Sequence, residues 1–247
     1  MTRTDRGLLC GLVGAFALQT GLTNGLYRYL RPSMRPWVVL AGIGLATIAL
    51  VVLVPELARR MRRRPPTGAH EHPVSRIGWF LALPVCVAVT IGPPALGAFA
   101  AGRGSTLRDL PEIDFDLDAY LTAASFGGQV PDVRVVDFVV GAEDDETAAT
   151  LAVQPVRLTG FVVKSDHPHE FRLVRFLVSC CAGDALPTAV VVRTDAAIPP
   201  EDTWVTVSGT LDRAATAADT ESFAAPVFRA DELDRIEAPD KPYEFPT

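Results

Sequence analysis

Two adjacent thiols, followed by a small-residue turn and an acid, are the residues here whose types and spacing most clearly suggest chemistry. They are Cys180, Cys181 and Asp184, separated by Ala182-Gly183. Thiolates bind soft or borderline cations such as zinc and copper(I), and a carboxylate or imidazole can complete the coordination shell. Adjacent strand residues point to opposite faces, so both sulfurs can meet one ion only where the backbone turns. The sequence therefore predicts a ligand or metal site at these three residues, with zinc as the candidate ion.

His167 and His169 are two further candidate metal ligands, because they stand in the predicted loop before the strand that leads to the thiols. A His-x-His pair in an extended segment places both rings on one side. The strand between them and the thiols, residues 171–179, advances about 3.3 Å per residue. A hairpin would thus put the histidines and the thiols at opposite ends of that strand, which argues against one shared ion.

Two other interpretations of the cysteines stay open. Outside a membrane, cysteines tend to be oxidised, so Cys180 and Cys181 could close a vicinal disulfide or exchange with a partner thiol. The C-x-x-C spacing of redox enzymes is absent from the sequence, which disfavours redox catalysis. Alternatively, one cysteine is a buried small hydrophobe and Asp184 caps a turn. The sequence contains no Ser/His/Asp arrangement, phosphate loop or nucleotide fingerprint, and we predict that the protein is not an enzyme.

The charge of the chain is divided unevenly between its two halves. Residues 1–101 hold 11 Lys/Arg against 3 Asp/Glu, a net charge of +8, whereas residues 102–247 hold 12 against 26, a net charge of -14. The mean hydropathy of +0.24 is high for a soluble protein. A domain of charge -14 would be repelled by a phosphate backbone, so nucleic acid is excluded as a partner.

Apolar runs in the first half predict three transmembrane helices, at about residues 8–26, 37–57 and 77–101. An Arg-rich loop, residues 58–76, contains five arginines between Arg59 and Arg64 directly after the second run. Under the positive-inside rule this loop is cytoplasmic. The sequence therefore predicts a multi-pass protein of the cell membrane, with residues from about 102 onward on the extracytoplasmic side.

Residues 102–150 are predicted to be a linker with a short helix at 133–149, and residues 151–247 an extracytoplasmic all-β domain. Five short strands, with Gly160 marking a bulge or sharp coil in the first, resemble an OB-fold-like five-stranded barrel. The predicted strands are residues 156–164, 171–179, 189–193, 204–211 and 226–233. The predicted core consists of Val156, Leu158, Val162, Phe171, Leu173, Phe176, Val178, Val190, Val192, Val205, Val207 and Phe228.

The layout of the whole chain resembles a family of uncharacterised bacterial permease-subunit proteins, which have N-terminal membrane helices and a C-terminal domain. The resemblance is carried by the strand Leu158–Val162, the Cys-Cys-x-x-Asp-Ala motif at Cys180–Ala185 and the Trp-Val-x-Val-x-Gly strand at Trp204–Gly209. It implies partnership with a polytopic permease in the membrane and names no transported substrate.

Two functions are therefore expected. In the first, the protein is a membrane-anchored accessory subunit of a transport system, whose outward domain captures a small solute or metal ion near Cys180, Cys181 and Asp184. In the second, it is a structural interaction protein of the cell envelope, in which the cysteines only shape the domain or are redox-active.

Overall fold

The computed structural model describes residues 3–62, 83, 86–87, 94–102, 115–125, 128–165, 167–218 and 225–246. The chain divides into two compact units, Met1–Pro94 and Ala95–Thr247. We refer to them as the N-terminal unit and the C-terminal unit.

The N-terminal unit contains two long helices, α1 (Arg3–Leu22) and α2 (Arg35–Arg62), joined by short 3-10 turns. They run antiparallel, since Gly7 lies against Leu53 near one end and Gly21 against Val39 near the other. Glycines bring the two backbones close: a Cβ added at Gly14 would lie 2.9 Å from the backbone nitrogen of Ala46. Small residues that allow such close approach are typical of helix pairs in membranes.

The outer surface of α2 is apolar and exposed. Trp37, Leu40 and Leu50 are each at least 60% exposed. Within the part of the chain that the structure describes, one helical stretch, Pro32–Arg59, is long and apolar enough to cross a membrane by length and composition. Near an N-terminus, a signal sequence has the same properties. The described residues thus contain one candidate membrane helix, and the multi-pass arrangement of the chain stays a prediction.

The helix limits differ from the predicted spans. The predicted first span, 8–26, corresponds to a helix that ends at Leu22, where Gln19 and Thr20 already make the sequence polar. The predicted second span, 37–57, corresponds to a helix that continues through Pro55 to Arg62, so the start of the arginine cluster is helical. Most of the predicted third span, 77–101, and of the loop 58–76 lies outside the described residues.

The C-terminal unit is built on a mixed sheet of six strands: β1 (Val156–Lys164), β2 (Glu170–Leu177), β3 (Leu186–Arg193), β4 (Trp204–Leu211), β5 (Val227–Arg235) and β6 (Tyr243–Glu244). Their order is β1-β4-β5-β3-β2-β6, and β1 also pairs with β2, which closes the first five strands into a ring. All pairs in the ring are antiparallel except β3 with β5. A closed five-stranded ring of this kind resembles an OB-fold, as predicted.

Gly160 lies where β1 leaves one partner strand for the other, since Phe161 pairs with both Trp204 of β4 and Val174 of β2. A Cβ at Gly160 would come within 2.7 Å of the carbonyl oxygen of Val174. The residue therefore allows the sharp coil that closes the ring. The bulge occurs elsewhere, between Ser208 and Gly209 of β4, where a Cβ on Gly209 would collide with the carbonyl oxygen of Arg229.

Two corrections apply to the predicted all-β domain. A sixth strand, β6, adds to the ring in parallel with the end of β2. Helices also form part of the unit: α3 (Ala98–Ala101), α4 (Leu117–Ser125), α5 (Val135–Glu143), α6 (Asp145–Val153) and α7 (Arg213–Ala218). The stretch expected to be a linker with one short helix thus contains three of these, α4 to α6. The unit is therefore α+β rather than all-β. The apolar faces of its helices cover the apolar side of the sheet.

The main core lies between helices α4 to α6 and the inside of the ring. Phe138 of α5 meets Phe228 of β5 edge to face, with ring centroids 5.4 Å apart. Leu121 of α4 and Leu151 of α6 are fully buried in the same cluster. All twelve residues of the predicted barrel core are buried. Ten of them line this main core, whereas Phe176 and Val178 belong to a second buried cluster that also contains Ala98 and Tyr243.

Candidate functional site

The connection between β2 and β3 brings the two thiols and the acid together. β2 and β3 pair up to Leu177 and Leu186, and the residues between them reverse the chain through a short 3-10 helix, Ala182–Asp184. One ligand atom from each of Cys180, Cys181 and Asp184 lies within 4.8 Å of the other two. The small residues predicted to permit a turn thus do so, and we call residues 179–185 the thiol turn.

Asp184 holds the thiol turn together through its carboxylate. One carboxylate oxygen accepts a hydrogen bond from the backbone N–H of Ser179 (2.9 Å), and the other accepts from those of Cys180 (2.8 Å) and Cys181 (3.2 Å). The side chain of Cys181 in turn accepts from the backbone N–H of Asp184, which completes a reciprocal capping box. Three otherwise unpaired backbone donors are therefore satisfied by one side chain.

The acid and the first thiol change each other's pKa values. The hydrogen bond from the Cys180 thiol to the Asp184 carboxylate, followed by its contact with Cys181, raises the pKa of Cys180 to about 11. Partial burial alone would raise the pKa of Asp184, but the Cys180 thiol and the backbone N–H groups of Cys180, Cys181 and Ser179 lower it overall. At neutral pH the pair is thus a thiol donating to a carboxylate.

His167 and His169 do not join this group. They lie in the turn between β1 and β2, next to the pair formed by Lys164 and Phe171, at the start of β2. The thiol turn follows the other end of that strand. Among the described residues, the cluster with metal-ligand geometry contains Cys180, Cys181 and Asp184 and neither histidine. The separation expected from the strand length is therefore present.

The donor set and its access suit a thiophilic cation. Two sulfurs bound to one tetrahedral zinc ion at about 2.3 Å are roughly 3.8 Å apart, a separation that ligand atoms within 4.8 Å of each other can reach. Cys180 is exposed, while Cys181 and Asp184 are half-buried, so an ion can approach from solvent. The three residues fit a three-ligand zinc or copper(I) site whose remaining position is open to water or a partner ligand.

Sequence reasoning missed a second group of charged residues in the same unit. Arg175 donates hydrogen bonds to the carbonyl oxygens of Thr159, Lys241 and Pro242, and its guanidinium lies 5.3 Å from the ring centroid of Trp204. Glu244 is buried against α5. Since these contacts join residues 16 to 109 positions apart, no local motif signals them.

Comparison with known proteins finds a family similar to part of the chain. Residues 147–246 match the family described as "DUF1980 C-terminal domain". This part of the chain is similar to that family, whose description names no function. The structure of the telomere capping protein Ten1 from Saccharomyces pombe is similar at 11% identity and a TM-score of 0.26, over 43% of this chain and 81% of that one. No curated protein matches the chain.

The Asp184 carboxylate is the main cause of the high pKa of Cys180, and its neutralisation should lower that pKa. In the Asp184→Asn variant we expect the pH midpoint for Cys180 ionisation to fall toward the ordinary thiol value of 9.0, relative to the same background with Asp184 present. The measurement is the pH dependence of the alkylation rate, in a background with Cys10, Cys86 and Cys181 replaced by serine, with and without Asp184→Asn. An unchanged midpoint would show that the carboxylate does not control this thiol.

Proposed function

We propose that this protein is a membrane-anchored accessory subunit of a permease system, whose extracytoplasmic OB-like unit binds a thiophilic metal ion in the thiol turn. The observation that carries the proposal is the convergence of three ligand atoms, from Cys180, Cys181 and Asp184, within 4.8 Å at an accessible turn. Two sulfurs and one carboxylate oxygen favour zinc or copper(I) over calcium or magnesium, which prefer oxygen ligands. The role is binding or delivery of the ion rather than catalysis.

Binding of such an ion must compete with a proton. The Cys180 thiol, with a pKa raised to about 11, is protonated at neutral pH, whereas a metal-bound sulfur is a thiolate. Binding therefore releases at least one proton, and apparent affinity should rise about tenfold per pH unit for each proton released, up to the thiol pKa. A site of this type holds metal more weakly in an acidic compartment and releases it there.

We expect the reduced, detergent-solubilised full-length protein to bind one zinc ion per chain. Cys180→Ser and Cys181→Ser should each weaken binding by about 100-fold or more, because each removes a thiolate ligand. Cys10→Ser and Cys86→Ser are the matched controls and should bind zinc as the wild type does. The measurement is competition with a chromophoric zinc chelator at pH 6, 7 and 8.

Absence of zinc from the wild type, or unchanged zinc in the Cys180→Ser/Cys181→Ser double variant, would contradict the metal site. The pH series adds an independent check. An affinity that does not change between pH 6 and pH 8 would mean that binding does not displace the Cys180 proton, so the ion would be held elsewhere.

The side of the membrane decides which ions the thiol turn meets. The arginines between Arg59 and Arg64 support a cytoplasmic location for the C-terminal end of α2, since basic residues beside a span are retained inside. A further crossing within 77–101 would then carry the C-terminal unit outside. We expect a reporter that is active only outside the cytoplasm to be active when fused after Thr247. Activity of a cytosolic reporter at that position, with the exported reporter silent, would overturn the assignment.

The proposed partner is a polytopic permease in the same membrane. This part of the proposal rests on the resemblance of the chain's layout and motifs to permease-subunit proteins. After solubilisation in mild detergent, a tagged full-length chain should co-purify a protein with many membrane spans. The thiol turn need not form that contact, so Cys180→Ser/Cys181→Ser should retain the partner. Recovery of the chain alone, from membranes in which the permease is present, would refute the partnership.

A second candidate function is a structural interaction protein of the cell envelope. It is favoured by the hydrogen bonds of Asp184, which satisfy the thiol turn without any ion. In that case the sulfurs only contribute to the shape of the turn. The zinc titration separates the two candidates, because a structural turn would show no saturable metal binding.

A further inference from the structure

A second concave site lies in the C-terminal unit, formed by the start of β1, the middle of β2, the segment before α5 and the C-terminal tail. Its volume is about 390 Å³, within the range of about 300–1,000 Å³ typical of small-molecule sites. The charged residues that line it are Asp132, Arg134, Arg157, Arg175, Lys241 and Glu244. We call it the tail pocket.

The tail pocket is cationic in an otherwise acidic unit. Its lining includes four basic side chains and two acidic ones, and the net charge is +1 when Asp137, the partner of Arg134, is included, whereas residues 95–247 together carry -14. Charges of one sign gathered in a concavity focus the electrostatic potential and attract ligands of opposite charge. The positive charge of the pocket lining, within an acidic unit, therefore favours an anionic ligand.

Two of these charges are already paired within the protein. Arg134 holds Asp137 through two hydrogen bonds of 2.6 Å and also donates to the carbonyl oxygen of Phe245. The Glu244 carboxylate accepts from the backbone N–H groups of Val135 and Val136. The charge of Arg134 is thus offset by Asp137, and that of Glu244 by the nearby Arg175.

Arg157 remains as the cation whose charge is least offset, while Arg175, whose charge interacts with that of Glu244, contributes mainly hydrogen-bond donors. The hydrogen bonds of Arg175 go to three neutral carbonyl oxygens, and its five N–H donors exceed the three bonds that it makes there. Arg157 is 3.6 Å from the exposed carboxylate of Asp132, beyond hydrogen-bonding distance, and its own side chain is 41% exposed. Such a surface pair contributes little and is easily exchanged for another anion.

From this arrangement we infer that the tail pocket binds a small oxyanion, a carboxylate or phosphate group of a low-molecular-weight solute. Guanidinium groups present paired N–H donors that match the oxygens of either group, which favours these anions over a spherical one such as chloride. The surrounding charge of -14 disfavours polyanions such as nucleic acid. The inference does not depend on metal binding in the thiol turn, and either can fail without the other.

The backbone around Arg157 allows a clean test. Its N–H donates to the carbonyl of Pro131, and its carbonyl accepts from Val133, so the local pairing does not involve the side chain. Arg157→Gln should therefore fold normally and lose only the charge. Arg172→Gln is the matched control: Arg172 is exposed, and as it stands three positions before Arg175 on β2, it points to the opposite face of the strand.

The experiment titrates the detergent-solubilised full-length protein with sodium phosphate or sodium succinate at constant ionic strength, with sodium chloride as the balancing salt. Binding is followed by calorimetry and by thermal unfolding. We expect saturable binding of at least one of the two anions. The anion that binds identifies whether the pocket prefers a phosphate or a carboxylate group. Arg157→Gln should weaken it by about tenfold or more, while Arg172→Gln should change it less than about twofold.

Removal of the competing carboxylate of Asp132 should have the opposite effect on anion binding. Asp132→Asn leaves the backbone of the pocket unchanged and frees Arg157, so we expect binding to tighten by about threefold. Lack of saturable binding by both anions would overturn the inference. Equal weakening in Arg157→Gln and Arg172→Gln would also overturn it, because general charge attraction would then explain the binding. Unchanged unfolding temperatures without ligand show that the variants are folded.

Discussion

The C-terminal unit depends on one buried carboxylate. Glu244, in β6, accepts hydrogen bonds of 2.8 and 3.0 Å from the backbone N–H groups of Val135 and Val136, the first residues of α5. Burial raises the pKa of this group, while Arg175 and the two N–H groups act in the opposite direction. A buried charge is costly unless it is paired and hydrogen-bonded. Here the helix N-terminus, with its positive end of the helix dipole, supplies that compensation.

This contact determines where three parts of the chain meet. The same residue accepts a backbone hydrogen bond from Val178, directly after β2, so the tail holds the strand at the point where it enters the thiol turn. Arg175 binds two further carbonyl groups of the tail, and Arg134 binds a third. The tail therefore supports one end of the thiol turn and forms a wall of the tail pocket. Two candidate sites with unrelated chemistry thus share one structural support.

The sequence was sufficient for features that depend on local pattern. Alternating apolar residues identified five strands of the ring and all twelve of the predicted core positions. It was insufficient where distant residues meet. Helices α4 to α6 enter the core because Leu121, Phe138 and Leu151 cover the ring, and a short amphipathic pattern does not reveal what it covers. The two-residue strand β6 is held by the buried contact between Glu244 and Val135. These residues are 109 positions apart, and no sequence motif indicates that they meet.

The residues of the thiol turn could be predicted from the sequence, but the effect of Asp184 on the pKa of Cys180 could not. The Asp184 carboxylate that assembles the turn also raises the pKa of Cys180, so the same residue opposes the thiol ionisation that the proposed metal binding would require. These two effects use different bonds. The three backbone N–H groups hold Asp184 whether or not Cys180 is protonated, and only the thiol hydrogen bond is lost when the proton leaves. Loss of that proton frees a sulfur and a carboxylate lone pair together. The proposed binding of a metal therefore requires no change in the backbone of the turn.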